Sequence, residues 1–127
     1  MKRSLITIFL ILIFVCLGWF FQNKMLSNLF TKADSSLNKI TNYIEKQDYT
    51  SAHREFDLYN KRWKNKETIL CMLVSHEDID FITRCNGQLR AYIKTPGEEE
   101  AYAVISELYE SYRELNDKFK VNIKTIF

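Results

Sequence analysis

The sequence predicts an all-α protein: one N-terminal transmembrane helix followed by two antiparallel helical hairpins, packed as a four-helix bundle or as a tetratricopeptide-like pair. Three observations predict it. An uncharged apolar run, "LITIFLILIFVCLGWFF", fills residues 5–21. Beyond it, apolar residues recur at alternating steps of three and four, the period of an amphipathic helix. Turn and strand signals are scarce, with one Pro and three Gly in 127 residues.

The apolar run is about 25 Å of helix at 1.5 Å per residue, a little short of a ~30 Å hydrocarbon core, and Ser4 and Gln22 can extend it into the interface. Residues 1–22 are therefore expected to be a membrane anchor. A basic start before an apolar run also marks a cleaved signal peptide. Cleavage needs small residues just past the run, whereas "GWFFQNKM" follows, and Val15 rather than a small residue precedes Cys16. An uncleaved anchor is the expectation, with Trp19, Phe20 and Phe21 at headgroup level. Lys2 and Arg3 crowd one end, while Lys24 and Lys32 are spread beyond the other. The positive-inside rule then puts the N-terminus in the cytoplasm and residues 23–127 outside, in a single-pass cell-membrane protein.

Four stripes follow. The first is Leu26, Phe30, Ala33, Leu37, Ile40 and Ile44, with Asn28, Ser35, Ser36, Asn38 and Thr41 facing water. No Pro or Gly separates it from the anchor, so one continuous helix is expected. The second is Tyr49, Ala52, Phe56, Tyr59 and Trp63, running into "ILCMLV". Asp48 or Thr50 is its N-cap. The third, Ile79, Ile82, Leu89 and Ile93 with Asn86 in the stripe, starts after Ser75, which stands three residues before Asp78 as in a loose capping box. The fourth is Ala101, Ile105, Leu108, Tyr112, Leu115 and Phe119, with Thr95 as cap, Glu98 three residues on, and Pro96 as first helical residue.

Laid over itself at an offset of 49, the chain matches Tyr43 with Tyr92, Ile44 with Ile93, Ala52 with Ala101, and Trp63 with Tyr112. The body thus reads as one hairpin, residues 25–74, repeated as residues 75–120, with a short tail at 121–127. Such a period belongs to helical repeats, in which each hairpin's apolar face is covered by its neighbour. An ordinary four-helix bundle has the same spacing. The first stripe also has the seven-residue period of a coiled coil, which leaves self-association open.

The basic start and anchor, the "QDYTSA" turn, "KRWKNK" with Trp63, the "SHEDID" junction and the ending "VNIKTIF" together resemble a bacterial membrane-anchored family known as domain of unknown function 4363. The resemblance implies a small, anchored, helical protein typical of spore-forming bacteria. It implies no catalytic residues.

Function classes narrow by charge. Without Lys2 and Arg3, the 18 basic residues fall to the number of the 16 acidic ones, so the body is neutral and carries no footprint for nucleic acid. Three cysteines make no disulfide framework, and Cys71 and Cys85 are expected as free, partly buried thiols. No phosphate loop, metal-spaced Cys pair or nucleophile elbow is present, so neither an enzyme nor a cofactor is expected.

The one ligand-like pair is His76 and Asp80, four apart on one helix face. A zinc site needs three or four protein ligands, and the other histidine, His53, is on a different helix. Acidic residues in a first turn also answer the partial positive charge of a helix start, worth about 0.3–1 kcal/mol each, which explains "SHEDID" without a metal. A metal-binding or ligand-sensing junction is the alternative reading. The main expectation is an extracytoplasmic interaction or scaffold module meeting another membrane protein, through basic Arg54, Lys61 and Lys64 and acidic Glu107, Glu110 and Glu114.

Overall fold

A computed structural model describes residues 2–126; for Gln22, Asn23, Leu26, Leu73 and residues 119–126 it describes the backbone alone. The places of Leu26 and Phe119 in their stripes therefore lie outside the described side chains. Four helices account for the described chain: α1 (Lys2–Glu45), α2 (Tyr49–Leu73), α3 (His76–Lys94) and α4 (Glu98–Ile126). Among the described residues there is no strand.

α1 is one unbroken helix of 44 residues, about 66 Å long. Its first part, Lys2–Phe21, is long and apolar enough to cross a membrane, and none of it is covered by the rest of the chain. The remainder enters the core through Phe30, Ala33, Leu37, Ile40 and Ile44.

α1 packs on α2 and α4, and α3 packs on the same two, so the helices close into a ring. A bundle has this closure, whereas in a stacked hairpin pair the outer helices stay apart. The stripes meet inside, where Ala52, Phe56, Tyr59 and Trp63 face Ile79, Ile82, Leu89 and Ile93, and Ala101, Ile105, Leu108, Tyr112 and Leu115 close the fourth side. Leu29, Cys85 and Val104 join them from positions beside the stripes, and Leu70 from the run that ends the second. Large aromatics fill the middle: the Tyr112 ring stands edge-on to Trp63 at 5.7 Å and tilted to Phe30 at 5.9 Å.

The offset of 49 reappears in the backbone hydrogen bonds of two turns. After α1, Lys46 N–H donates to Asn42 O, Asp48 N–H to Tyr43 O, and Ala52 N–H to Asp48 O. After α3, Thr95 N–H donates to Ala91 O, Gly97 N–H to Tyr92 O, and Ala101 N–H to Gly97 O. These are the same three bonds 49 residues later. They move the expected start of α4, because Thr95 closes α3 rather than capping the next helix. Gly97 supplies the first carbonyl of α4, and Pro96 lies in the turn.

Two other caps resolve differently from each other. Asp48 caps α2, its Oδ1 accepting the Ser51 N–H at 3.2 Å, so Asp48 rather than Thr50 is the cap. Ser75 holds the cap position of α3 without a side-chain bond. The capping box fails because the Asp78 carboxylate is taken up by Lys118 Nζ at 3.1 Å, joining the start of α3 to α4. Ser36, expected in water, is buried, because the Arg62 guanidinium on α2 reaches across to its hydroxyl at 2.8 Å. At the far end, α4 remains helical to Ile126, through the segment expected as a tail.

Arg62 sets a level. From Ser36 down α1, and from Arg62 down α2, the α2–α3 junction comes level with the turn of α1 just past Phe21, about 5 Å above the apolar segment at 1.5 Å per residue. The stretch "LVSHEDID" thus lies at the end of the α2–α3 hairpin that faces that segment, and α4, level with it near Lys118, continues past it to Ile126.

Candidate functional site

Polar chemistry inside the bundle is concentrated around Tyr59. Its hydroxyl lies 2.7 Å from Asn86 Oδ1 and 2.5 Å from the Tyr112 hydroxyl. Burial raises both phenols above their ordinary value of 10.0, so both are neutral. Asn86 Nδ2 is buried without a hydrogen-bond partner among the described residues. One turn along α2, the Trp63 indole N–H donates to Thr83 Oγ1 at 3.1 Å, and Thr83 donates to Glu67 Oε1 at 3.0 Å. The neutral phenols of Tyr59 and Tyr112 fix the register of the helices and offer no acid or base near working pH.

The expected ligand pair stays incomplete. His76 and Asp80 are exposed at the start of α3. Among the described residues no group of three His, Cys, Asp or Glu side chains is placed to hold a metal ion. The other histidine, His53, pairs with Asp57 one turn on, Nδ1 to Oδ2 at 3.1 Å. All three thiols are free. Cys85 is buried, and burial followed by the nearby Glu107 carboxylate pushes it up to about 11.

Arg54, Lys61 and Lys64 are exposed on α2, and Glu107, Glu110 and Glu114 are exposed on α4. These two helices stand diagonally across the ring, so their charged faces look away from each other. Glu107 is the one member engaged inward, at 3.7 Å from Cys85 Sγ. The ring keeps the two faces from meeting within one chain.

One surface feature was not visible in the sequence. A groove of about 240 Å³ runs between α1 and α2, lined by Met25, Asn28, Leu29, Lys32, Arg62, Asn65 and Lys66. Its cations come from segments some thirty residues apart, and no local pattern unites them. Below it, α2 shows water an apolar edge, with Ile69 40% and Met72 80% exposed.

This architecture defines an all-helical protein in which a small bundle continues an N-terminal apolar helix. The chain belongs to the family described as Domain of unknown function (DUF4363), whose model matches residues 20–126. No curated protein matches it. No solved structure does either.

Proposed function

We propose that the chain is a single-pass membrane protein whose bundle, outside the cytoplasm, is a protein-interaction module held close to the bilayer. One observation carries this reading: the exposed apolar segment and the core stripe are parts of a single helix with no break between them. A helix without Pro or a hinge fixes the body's height and tilt relative to its apolar part. An exposed apolar helix of this length is otherwise costly in water, and lipid is the solvent that suits it. Lys2 and Arg3 favour the cytoplasmic side for the N-terminus.

The surface supports binding rather than catalysis. The central phenols are neutral and buried, whereas Arg54, Lys61 and Lys64 on one side and Glu110 and Glu114 on the other, with Glu107 beside them on Cys85, are exposed to select a partner by charge. The partner we favour is another membrane protein with a soluble face at the same height. A photo-crosslinker at Lys61 or Glu110, activated in intact membranes, should give a discrete product that disappears on Lys61→Glu/Lys64→Glu. A product at twice the chain's mass identifies a second copy as the partner. No product from either position overturns the module reading. Protease added outside intact cells should cut the body, and a body cut only after detergent overturns the topology.

A further inference from the structure

We infer that the membrane protein these charged faces select is a second copy of this chain: the basic face of α2 on one copy docks on the acidic face of α4 on the next, and the copies form an open row in the plane of the membrane. This pairing deepens the interaction module proposed above and rests on its anchored topology. The body is neutral as a whole, so its charges are sorted onto opposite faces rather than present in excess. On α4, Glu110, Glu114 and Asp117 recur at steps of four and three, all exposed, with Glu107 one turn before them beside Cys85. That spacing makes one acidic ridge. On α2, Arg54, Lys61 and Lys64 are exposed on the face turned away from it. Asp57 is the exposed acid of α2, and His53 holds it at 3.1 Å. Arg113, the base beside the acidic ridge, shares a cleft with Asp34 of α1.

Height and flank favour a copy over an unrelated partner. Successive helices are antiparallel, so α2 and α4 run in the same direction, and Tyr112 touches both Tyr59 and Trp63. Glu107 is therefore level with Arg54 to within a turn, Glu110 and Glu114 bracket Lys61, and Glu114 and Asp117 bracket Lys64. Lys64 stands one turn before Glu67, which accepts from Thr83 on α3. Glu114 stands one turn before Lys118, which donates to Asp78 on α3. Both lie on the α3 flank of their helices, so a copy moved sideways, without rotation or change of height, sets Lys64 against Glu114. The unbroken α1 gives every copy the same height. Complementary faces on opposite sides of one body make a head-to-tail contact with no rotation to close a ring, so the row stays open. Exposed ion pairs contribute little one at a time. Copies confined to one membrane at one height meet at a high effective concentration, so several weak pairs suffice there.

The test uses the full chain, purified and reconstituted in phosphatidylcholine vesicles, where a second copy is the partner present. A photo-crosslinker at Ser106, exposed beside the acidic ridge, should give products at two, three and more times the chain's mass. Salt at 1 M, which shortens the screening length to about 3 Å, should weaken this ladder severalfold. Lys61→Glu/Lys64→Glu should weaken it about tenfold, and so should Glu110→Lys/Glu114→Lys. All four changes in one chain swap the faces and should restore the ladder to within about twofold of the parent's. Each variant replaces exposed side chains, and its circular dichroism should match the parent's. A ladder indifferent to the one-face reversals, or one that the swap fails to restore, overturns the pairing. A product that stops at twice the chain's mass means a closed two-fold pair and overturns the row. No product in these vesicles, beside a discrete product from native membranes, refutes the second copy and leaves the interaction module standing. No product in either refutes both.

Discussion

The Tyr59 and Tyr112 hydroxyls, from diagonally opposite helices, meet at 2.5 Å in the centre of the bundle. Tyr59 has one proton and gives it to Asn86 Oδ1, so Tyr112 donates to Tyr59 and the order runs Tyr112, Tyr59, Asn86. The middle member matters most. Tyr59→Phe strands the Tyr112 hydroxyl and the Asn86 carbonyl together, at about 1–3 kcal/mol for each buried group. Tyr112→Phe removes only the end donor, at about 1 kcal/mol. Urea unfolding followed by circular dichroism should rank Tyr59→Phe well below Tyr112→Phe; the reverse order would contradict the assigned direction.

Acid stability should depend on Asp48. Hydrogen bonding from Ser51 lowers its pKa below the ordinary 3.8. Its folded pKa is therefore below its unfolded one, so its contribution is complete above the ordinary aspartate value and is lost as pH falls through the lowered one. Asp34 acts oppositely: burial raises it, against the pull of Arg113, and its effect favours folding as pH falls. Comparing Asp48→Asn with the parent at each pH cancels the Asp34 contribution. Asn still caps a helix, so melting temperatures at pH 7 should stay close. The parent should lose stability below pH 3.8 faster than the variant. Ser75→Ala, at a cap position without a side-chain bond, should change little at any pH.

The helices and their buried faces were legible because a period of three and four residues records which side of each helix meets the core. Leu29 and Val104 were missed, and Cys85 was expected only partly buried, because a helix with two neighbours buries a wider strip than a single-file stripe marks. The cap positions of α2 and α3 could be read, but the missing bond at Ser75 could not. Ser75 has the right residue type in the right place, yet the carboxylate that would complete its box belongs to a pair with Lys118, forty residues on. Thr95 and Pro96 misled because Pro suits both the first turn of a helix and a loop. The groove was invisible for a different reason: Lys32 and Lys66 share a wall only after α2 folds back on α1. The charged faces could be listed from the sequence, but which way they look required the ring.

Thiol reactivity should separate Cys71 from Cys85. Cys71 is half-exposed, its thiol raised by its surroundings and by the nearby carboxylates of Glu67 and Asp80. Cys85 is buried, at about 11, beside Glu107. The thiolate is the nucleophile, so both are slow at pH 8 and Cys85 is also shielded. Iodoacetamide on the native chain should modify Cys71 first, with Cys85 modified only once urea opens the bundle; peptide mass spectrometry reads both. Equal native rates would mean that α3 is not packed as described.

The two equivalent turns differ at one position, and that position gives a paired test. Gln47 has a φ of 58°, in the left-handed region, and its N–H donates to Ile44 O at 2.9 Å. The residue 49 positions later is Pro96, whose ring holds φ near −65° and which has no N–H. The second hairpin therefore makes its turn without the left-handed step, even though the flanking bonds match. A side chain in the left-handed region costs about 1–2 kcal/mol, which glycine avoids while losing about 0.5–1 kcal/mol to its greater freedom unfolded. Gln47→Gly should raise stability by up to about 1 kcal/mol. Gln47→Pro, which copies the second turn's residue into the first, should lower it by more than that gain, because it forbids the observed φ and deletes the bond to Ile44. Thermal unfolding of both variants beside the parent gives the order Gly, Gln, Pro. A proline variant as stable as the parent would mean that the first turn relaxes to the geometry of the second.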